Sequence, residues 1–248
     1  MTHNLFRPAA GLFALLVGTS LFGTTYTYTK IVDNSPGTPF ALVTFRSFVI
    51  NGNGAVALWA DGTANGIYTG SGGSISTVAA DDTTHFILTG FNDSGTVVYE
   101  GGGSDITATA GGTPFVVGPV NGSSTILPAI NNGGTVPFGS LNTSILMRTG
   151  SGPVQTLISD TDLPRSNQLA APFLYGLSIN NAGTVAFYAN DIMSGAACNC
   201  GTYTKSQSAL TFMAPYLGSF AHAPQINDSG AVAFLGNLPD LKGRLRSQ

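Results

Sequence analysis

Charge is what this sequence has least of. Asp, Glu, Lys and Arg make up 8% of its 248 residues, where soluble domains average about 25%. Glu100 is the sole glutamate, and the net charge is −3. No basic stripe runs along the chain, which excludes nucleic-acid binding driven by phosphate neutralisation. The one basic cluster, Lys242, Arg244 and Arg246, falls in a tail over residues 241–248 that reads as solvated. Cysteine is also scarce. Cys198 and Cys200 sit one residue apart in "AACNCGT", where a mutual disulfide would close a tiny strained ring. No second Cys or His cluster lies near them to complete a metal site, so a loop disulfide or two free thiols is expected. Long apolar runs are missing too. The run from Ala9 to Val17 falls short of the roughly 20 residues that span a bilayer, and no integral membrane domain is expected.

What the sequence has is repetition. "INGNGAVALWA" from Ile50 returns as "FNDSGTVVYEG" from Phe91, "INNGGTVPFGS" from Ile130, "INNAGTVAFYA" from Ile179 and "INDSGAVAFLG" from Ile226. The shared pattern is Asn-x-x-Gly-x-x-Ala-Phe. Its asparagines are Asn51, Asn92, Asn131, Asn180 and Asn227, and its glycines Gly54, Gly95, Gly134, Gly183 and Gly230. The glycines are spaced by 41, 39, 49 and 47 residues. A period in the forties within a β-rich sequence predicts propeller blades or a related β array. Apolar segments flank each copy, so each reads as a hairpin with a four-residue loop. Asn at the loop start can bond backbone groups further on. Gly at its end can take the left-handed conformation without steric cost. The Ala-Phe pair then points a small and a large side chain to opposite faces.

A second half follows each hairpin. "NGIYTGSGGSISTVAADD" from Asn65, "TSILMRTGSGPVQTLISD" from Thr143 and "CGTYTKSQSALTFMA" from Cys200 each hold two strand candidates around a turn, and "GGGSDITATAGGTPFVV" from Gly101 is a looser version. Each repeat thus supplies about four strands, the content of a blade. The last repeat stops after "AVAFLGNLPD", while "TTYTYTKIVD" near the N-terminus is a strand pattern without a partner. Pairing the two would remove sheet edges. The prediction is an all-β, β-propeller-like repeat fold over residues 24–240, with about five four-stranded blades, the last closed by the N-terminal strand. Residues 1–23 admit two readings. Arg7 followed by an apolar run is signal-peptide grammar. Gly11, Ala14 and Leu15 also match Gly54, Ala57 and Leu58 of the first full repeat, which would make the segment a degenerate repeat and allow a sixth partial blade.

At these residues the chain resembles bacterial tandem-repeat proteins defined by the NxxGxxAF motif, which are secreted or carry one of several C-terminal anchors. The resemblance covers residues 24–248 and includes "GIYTGSGG" at Gly66. It departs at Val98-Tyr99 and at Pro137-Phe138, which stand where Ala-Phe is expected. It implies export or a cell-surface address in a bacterium and a repeat fold; it implies no reaction and carries no catalytic residue.

The residues themselves supply little chemistry. The apolar segments before the five asparagines contain no Asp or Glu, against a glycosidase that needs paired carboxylates. Asp93 and Asp228 sit in turns, and Asp81, Asp82, Asp160 and Asp162 follow the ends of repeats. Asp160 and Asp162 are a conceivable calcium pair, but Asp-stabilised turns are the expectation. His85 and His222 lack a third ligand. No G-x-S-x-G, Walker or H-E-x-x-H pattern occurs. Trp59, Tyr68, Tyr175 and Tyr203 are candidates for stacking on sugars, with packing between sheets as their ordinary role. No catalytic, cofactor or metal residue is therefore assigned. The expectation is an exported non-enzymatic binding module for an unknown ligand, a glycan or a protein at the cell surface. The alternatives are a carbohydrate-active hydrolase or lyase with a site at the channel top, and a purely structural extracellular repeat protein.

Overall fold

A computed structural model describes residues 27–36, 38–41, 43–80, 86–101, 105–119, 126–140, 144–163, 175–189, 201–215 and 224–234. The chain divides into two bodies, Met1–Lys30 and Ile31–Gln248. Of the first, residues 27–30 are described; they form no strand and expose Tyr28. The second body is all-β, and a single 3₁₀ turn at Asp160–Asp162 is the one helical element among the described residues.

The first repeat folds as β1 (Val43–Ile50), β2 (Val56–Gly62), β3 (Gly66–Gly70) and β4 (Ser76–Ala80), paired antiparallel in chain order. The second repeats this with β5 (Phe86–Phe91), β6 (Val97–Gly101), β7 (Asp105–Ala110) and β8 (Thr113–Pro119). In the third, β9 (Ile126–Leu127) precedes a three-stranded sheet of β10 (Thr135–Ser140), β11 (Ser144–Thr149) and β12 (Gln155–Ser159). In the fourth, β13 (Tyr175–Gly176) leads into a four-stranded sheet of β14 (Ser178–Ile179), β15 (Val185–Ala189), β16 (Gly201–Lys205) and β17 (Leu210–Pro215). The fifth shows one hairpin, β18 (Gln225–Ile226) with β19 (Val232–Ala233).

The third repeat departs from four strands for a covalent reason. Asn131 N–H bonds Thr135 C=O. Antiparallel bonds recur at every second pair, so Pro137 occupies the next bonded position and has no N–H to give. The strand before Asn131 is freed from β10, and β9 instead pairs parallel with β13, Ile126 beside Tyr175 and Leu127 beside Gly176.

The core lies in layers between successive sheets. Alternation along each strand sends neighbours to opposite layers. In β2, Ala57 joins Ile67, Leu88, Phe91, Val97 and Tyr99 between the first and second sheets, while Leu58 joins Ala60 and Tyr68 on the other face. In β6, Val98 turns to the third repeat, packing with Ile106, Val117, Val136 and Phe138. Ile145, Ile158, Val185, Phe187 and Tyr203 fill the layer between the third and fourth. Each such side chain contributes about 1.5–3 kcal/mol on burial, so the stability resides in contacts between neighbouring repeats.

The expected closure by the N-terminal strand is not what the structure shows. Residues 27–35 form no strand, and β18–β19 has no further sheet neighbour among the described residues. Ile31 and Val32 instead pack with Phe40 and Val43 against Leu58 and Tyr68 of the first sheet. The reason is apolar: among the described residues no sheet precedes Leu58, and these side chains cover it. Residues 1–23 and the tail 241–248 lie outside the described residues.

Candidate functional site

The five turns share one set of bonds. Each Asn N–H donates to the carbonyl four residues on, at 2.9–3.2 Å, and each turn Gly N–H donates back to the Asn carbonyl at 3.0–3.1 Å. The glycines close the turns with φ between 74° and 86°, the left-handed region that favours glycine. Each Asn Oδ1 also accepts a backbone N–H four residues on, from Ala55, Thr96, Thr135, Thr184 and Ala231, at 2.8–2.9 Å. At Asn51 it accepts in addition from the residue two on, Asn53.

The other half of each amide leaves its own turn. Asn51 Nδ2 donates to the main-chain carbonyl of Asn92 at 3.1 Å, Asn92 to Asn131 at 3.0 Å, Asn131 to Asn180 at 3.1 Å and Asn180 to Asn227 at 3.2 Å. A parallel ladder runs through the next position. Gly52 N–H donates to Asp93 Oδ1. Asp93 N–H donates to Asn132 Oδ1 at 2.9 Å, Asn132 N–H to Asn181 Oδ1 at 2.9 Å, and Asn181 N–H to Asp228 Oδ1 at 2.8 Å. The amides also give their second hydrogen bond to a carboxylate, Asn132 to Asp93 and Asn181 to Asp228, each at 2.7 Å. No two carboxylates are neighbours on this ladder, which avoids like-charge repulsion.

Sequence reasoning placed all ten turn residues in their turns and missed the bonds between turns. A signal for them was present. An acceptor alone would tolerate Asp or Ser at the first position, but all five copies carry Asn, the residue that accepts and donates at once. At the second position, where an oxygen acceptor suffices, Asp and Asn both occur.

The aromatic candidates are mostly spent on packing. Tyr203 is 1% exposed and stacks on Phe187 at 5.8 Å. Tyr68 is buried, edge-on to Phe40 at 4.9 Å, and its hydroxyl bonds Ala64 C=O. Trp59 packs in the layer between the first two sheets and donates Nε1–H to Asn65. Tyr68 and Tyr203 offer no free ring face for a sugar, and Trp59 is half-buried. The side chain of Tyr175 lies outside the described residues.

Among the acids, Asp162 accepts from Ser159 N–H at 2.8 Å and Ser159 Oγ at 2.9 Å, which caps its turn. The bond from the Ser159 backbone, then that from its hydroxyl, hold the Asp162 carboxyl below its usual range. Burial beside Ile87 and Ile106 of the flanking strands pushes the Glu100 carboxyl up. No group of three or more His, Cys, Asp or Glu side chains gathers among the described residues. Asp81, Asp82, His85, Cys198, Cys200 and His222 lie outside them. No helix among the described residues is long and apolar enough to cross a membrane.

One groove remains. A cavity of about 450 Å³ lies between the third and fourth repeats, where Thr149 and Gln155 face Ser206, Gln207 and Ser208 across the Gly183 turn. Its lining carries hydroxyl, amide, thioether and aliphatic groups and no ionisable side chain. Thr135 and Thr149 hydroxyls bond each other at 2.8 Å on one wall. Such a lining can recognise a neutral polar ligand through paired donors and acceptors. No protein-family model matches the chain, and no curated protein matches it.

Proposed function

We propose that this chain is an exported bacterial β-repeat protein of the NxxGxxAF kind, a non-enzymatic binding module for a neutral, hydroxyl-rich ligand such as a glycan segment. The observation that carries the reading is the uncharged groove between the third and fourth repeats, with Thr149, Gln155, Ser206, Gln207 and Ser208 on its walls. Hydroxyls and amides both donate and accept, which matches the alternating groups of a sugar and leaves no charge to be desolvated. The sheets are read as propeller-like blades: each four-stranded sheet runs in chain order, and the first strands of the third and fourth repeats lie side by side in parallel. The scarcity of charge and the Ser, Thr and Gly content support export.

The test is a glycan array on the full chain, followed by calorimetry of any binder on the wild type and on Gln155→Ala/Gln207→Ala. Saturable binding that the double variant weakens tenfold or more, with the glycan recovered intact by mass spectrometry, is the expected result. Shortened products would make the chain a hydrolase or lyase. A blank array would favour the structural reading. Export is tested separately by the intact mass and cellular fraction of the protein made in a bacterial host.

A further inference from the structure

The two ladders run in one direction. Every turn donates to the next one, through the Asn Nδ2 and through the backbone N–H that follows. Among the described residues, the last turn has both donors left over. Asn227 Oδ1 is used inside its own turn, by Ser229 Oγ at 2.7 Å and Ala231 N–H at 2.9 Å. Its Nδ2 and the N–H of Asp228 meet no acceptor among the described residues. Asn92, Asn131 and Asn180 are 3–6% exposed, but Asn227 is exposed. Ala233 is exposed as well, while its counterparts Ala57, Val98 and Ala186 are fully buried.

The opposite end is closed. Gly52 stands where Asp93, Asn132, Asn181 and Asp228 carry an oxygen, so it cannot accept from a preceding turn. Leu58, whose counterparts Phe138 and Phe187 pack on the preceding repeat, is covered by Ile31, Val32 and Phe40. A second copy of this chain arriving head-to-tail would find the second acceptor missing and the apolar face occupied.

We propose that the edge formed by Asn227, Asp228 and Ala233 docks a β-hairpin of a partner chain whose turn reads Asn-(Asn or Asp)-x-Gly. The partner supplies a main-chain carbonyl to Asn227 Nδ2 and a side-chain oxygen to Asp228 N–H. It also lays an apolar strand over Ala233. The four junctions inside the chain define this geometry, and the new contact continues them. The surface is distinct from the groove, so the two readings stand or fall separately.

A disulfide-cyclised peptide with the sequence of residues 86–101, which contains Asn92 and Asp93, is the probe. It is titrated into the full chain under ¹⁵N NMR and calorimetry. Saturable binding that shifts the Asn227 side-chain amide and the Asp228 N–H is expected. A peptide carrying Asp93→Gly binds at least tenfold more weakly, because it imitates the Gly52 end. Asn227→Asp in the protein keeps the oxygen that holds its own turn and loses the donor, and it weakens the parent peptide tenfold or more. The peptide arm requires no change in the protein, so a misfolded variant does not blunt the test. Absence of binding, or equal binding of the two peptides, overturns the proposal. Slow exchange of the Asn227 side-chain amide in the free chain also overturns it, since that donor would already be paired. Concentration-dependent dimers lost in Asn227→Asp would make a second copy the occupant and overturn the choice of partner.

Discussion

The side chain of Asn131 joins two turns that lie 49 residues apart in the chain. Its Oδ1 holds Thr135 N–H at 2.9 Å, and its Nδ2 reaches the main-chain carbonyl of Asn180 at 3.1 Å. Asn131 and Asn180 are buried, and Thr135 is half-buried. Asn131→Ala takes away the acceptor of the Thr135 N–H and leaves the Asn180 carbonyl with only the Gly183 N–H of its own turn, and urea unfolding should show a loss of about 1–3 kcal/mol. Asn227→Ala removes the same kind of side chain where the turn is solvated, and should cost less than about 1 kcal/mol. Equal losses at the two positions would mean that the bonds between turns add nothing.

Asn131→Asp separates the two halves of the amide. The acceptor for Thr135 survives, but the carboxylate faces the Asn180 carbonyl with no proton to share. Protonation restores a donor. The variant should therefore be less stable than wild type at neutral pH and recover part of the gap as pH falls into the carboxylate range. A gap that stays constant with pH would show that the Asn180 carbonyl does not need a donor.

Two glycines are required for different reasons. Gly183 has φ of 80° and open space around the position of a Cβ. Gly183→Ala therefore pays only backbone strain, about 1–2 kcal/mol, and Gly183→Asn should recover part of it. Gly118 has the ring of Phe138 against it. Gly118→Ala overpacks that layer by about 1–3 kcal/mol, and Phe138→Leu should relieve it. A double-mutant cycle reads the relief as coupling between residues 118 and 138, and additive losses would rule the contact out as the cause.

Arg148 fastens the third repeat to the second. Its guanidinium donates to Val116 C=O and Val117 C=O of β8, while Nε and Nη2 donate to Gly152 C=O and Ser151 C=O of its own turn. Lysine supplies charge without this fork. Arg148→Lys should lose most of what Arg148→Met loses, on the order of 1–3 kcal/mol, and hydrogen exchange should rise at the β8 edge. Full retention in Arg148→Lys would show that charge alone matters.

The strands and turns were legible in the sequence because their causes are local. Alternation marks β2, β6, β10 and β15, and the Asn Oδ1 and the Gly of each turn act within five residues. The consequence of Pro137 for the third repeat was not read: four strands were expected there, and its missing N–H shows only once the pairing with the strand before Asn131 is laid out. What stayed hidden depends on which surfaces meet. Nothing in the apolar character of Ile31, Val32 and Phe40 says that they cover Leu58 instead of pairing with the last repeat. The groove is made by turns that lie about fifty residues apart, Thr149–Gln155 and Ser206–Ser208, and neither turn is distinctive alone. Tyr68 and Tyr203 show the reverse: aromatics open to a ligand reading in the sequence are filled into the layers.

Glu100, the chain's one glutamate, gives a pH prediction with a clean signal. Burial pushes its carboxyl above the ordinary value, so the folded chain keeps the proton to higher pH than the unfolded chain. Its contribution to stability is greatest below the ordinary carboxylate value and falls as pH rises through the window up to the raised value. Asp162 has the opposite sign. Its bonds to Ser159 lower its value, so its contribution is present above the ordinary value and is lost as pH falls through the lowered one; being exposed, it adds little. Glu100→Gln should remove the downward slope at the upper edge of the carboxylate range and leave the protein at least as stable at neutral pH. With ¹³C-labelled glutamate the carboxyl carbon of residue 100 is the sole labelled signal, and its titration midpoint should lie above that of the urea-unfolded chain. A midpoint at or below the unfolded value would place Glu100 in water, and the slope in Glu100→Gln would then match wild type.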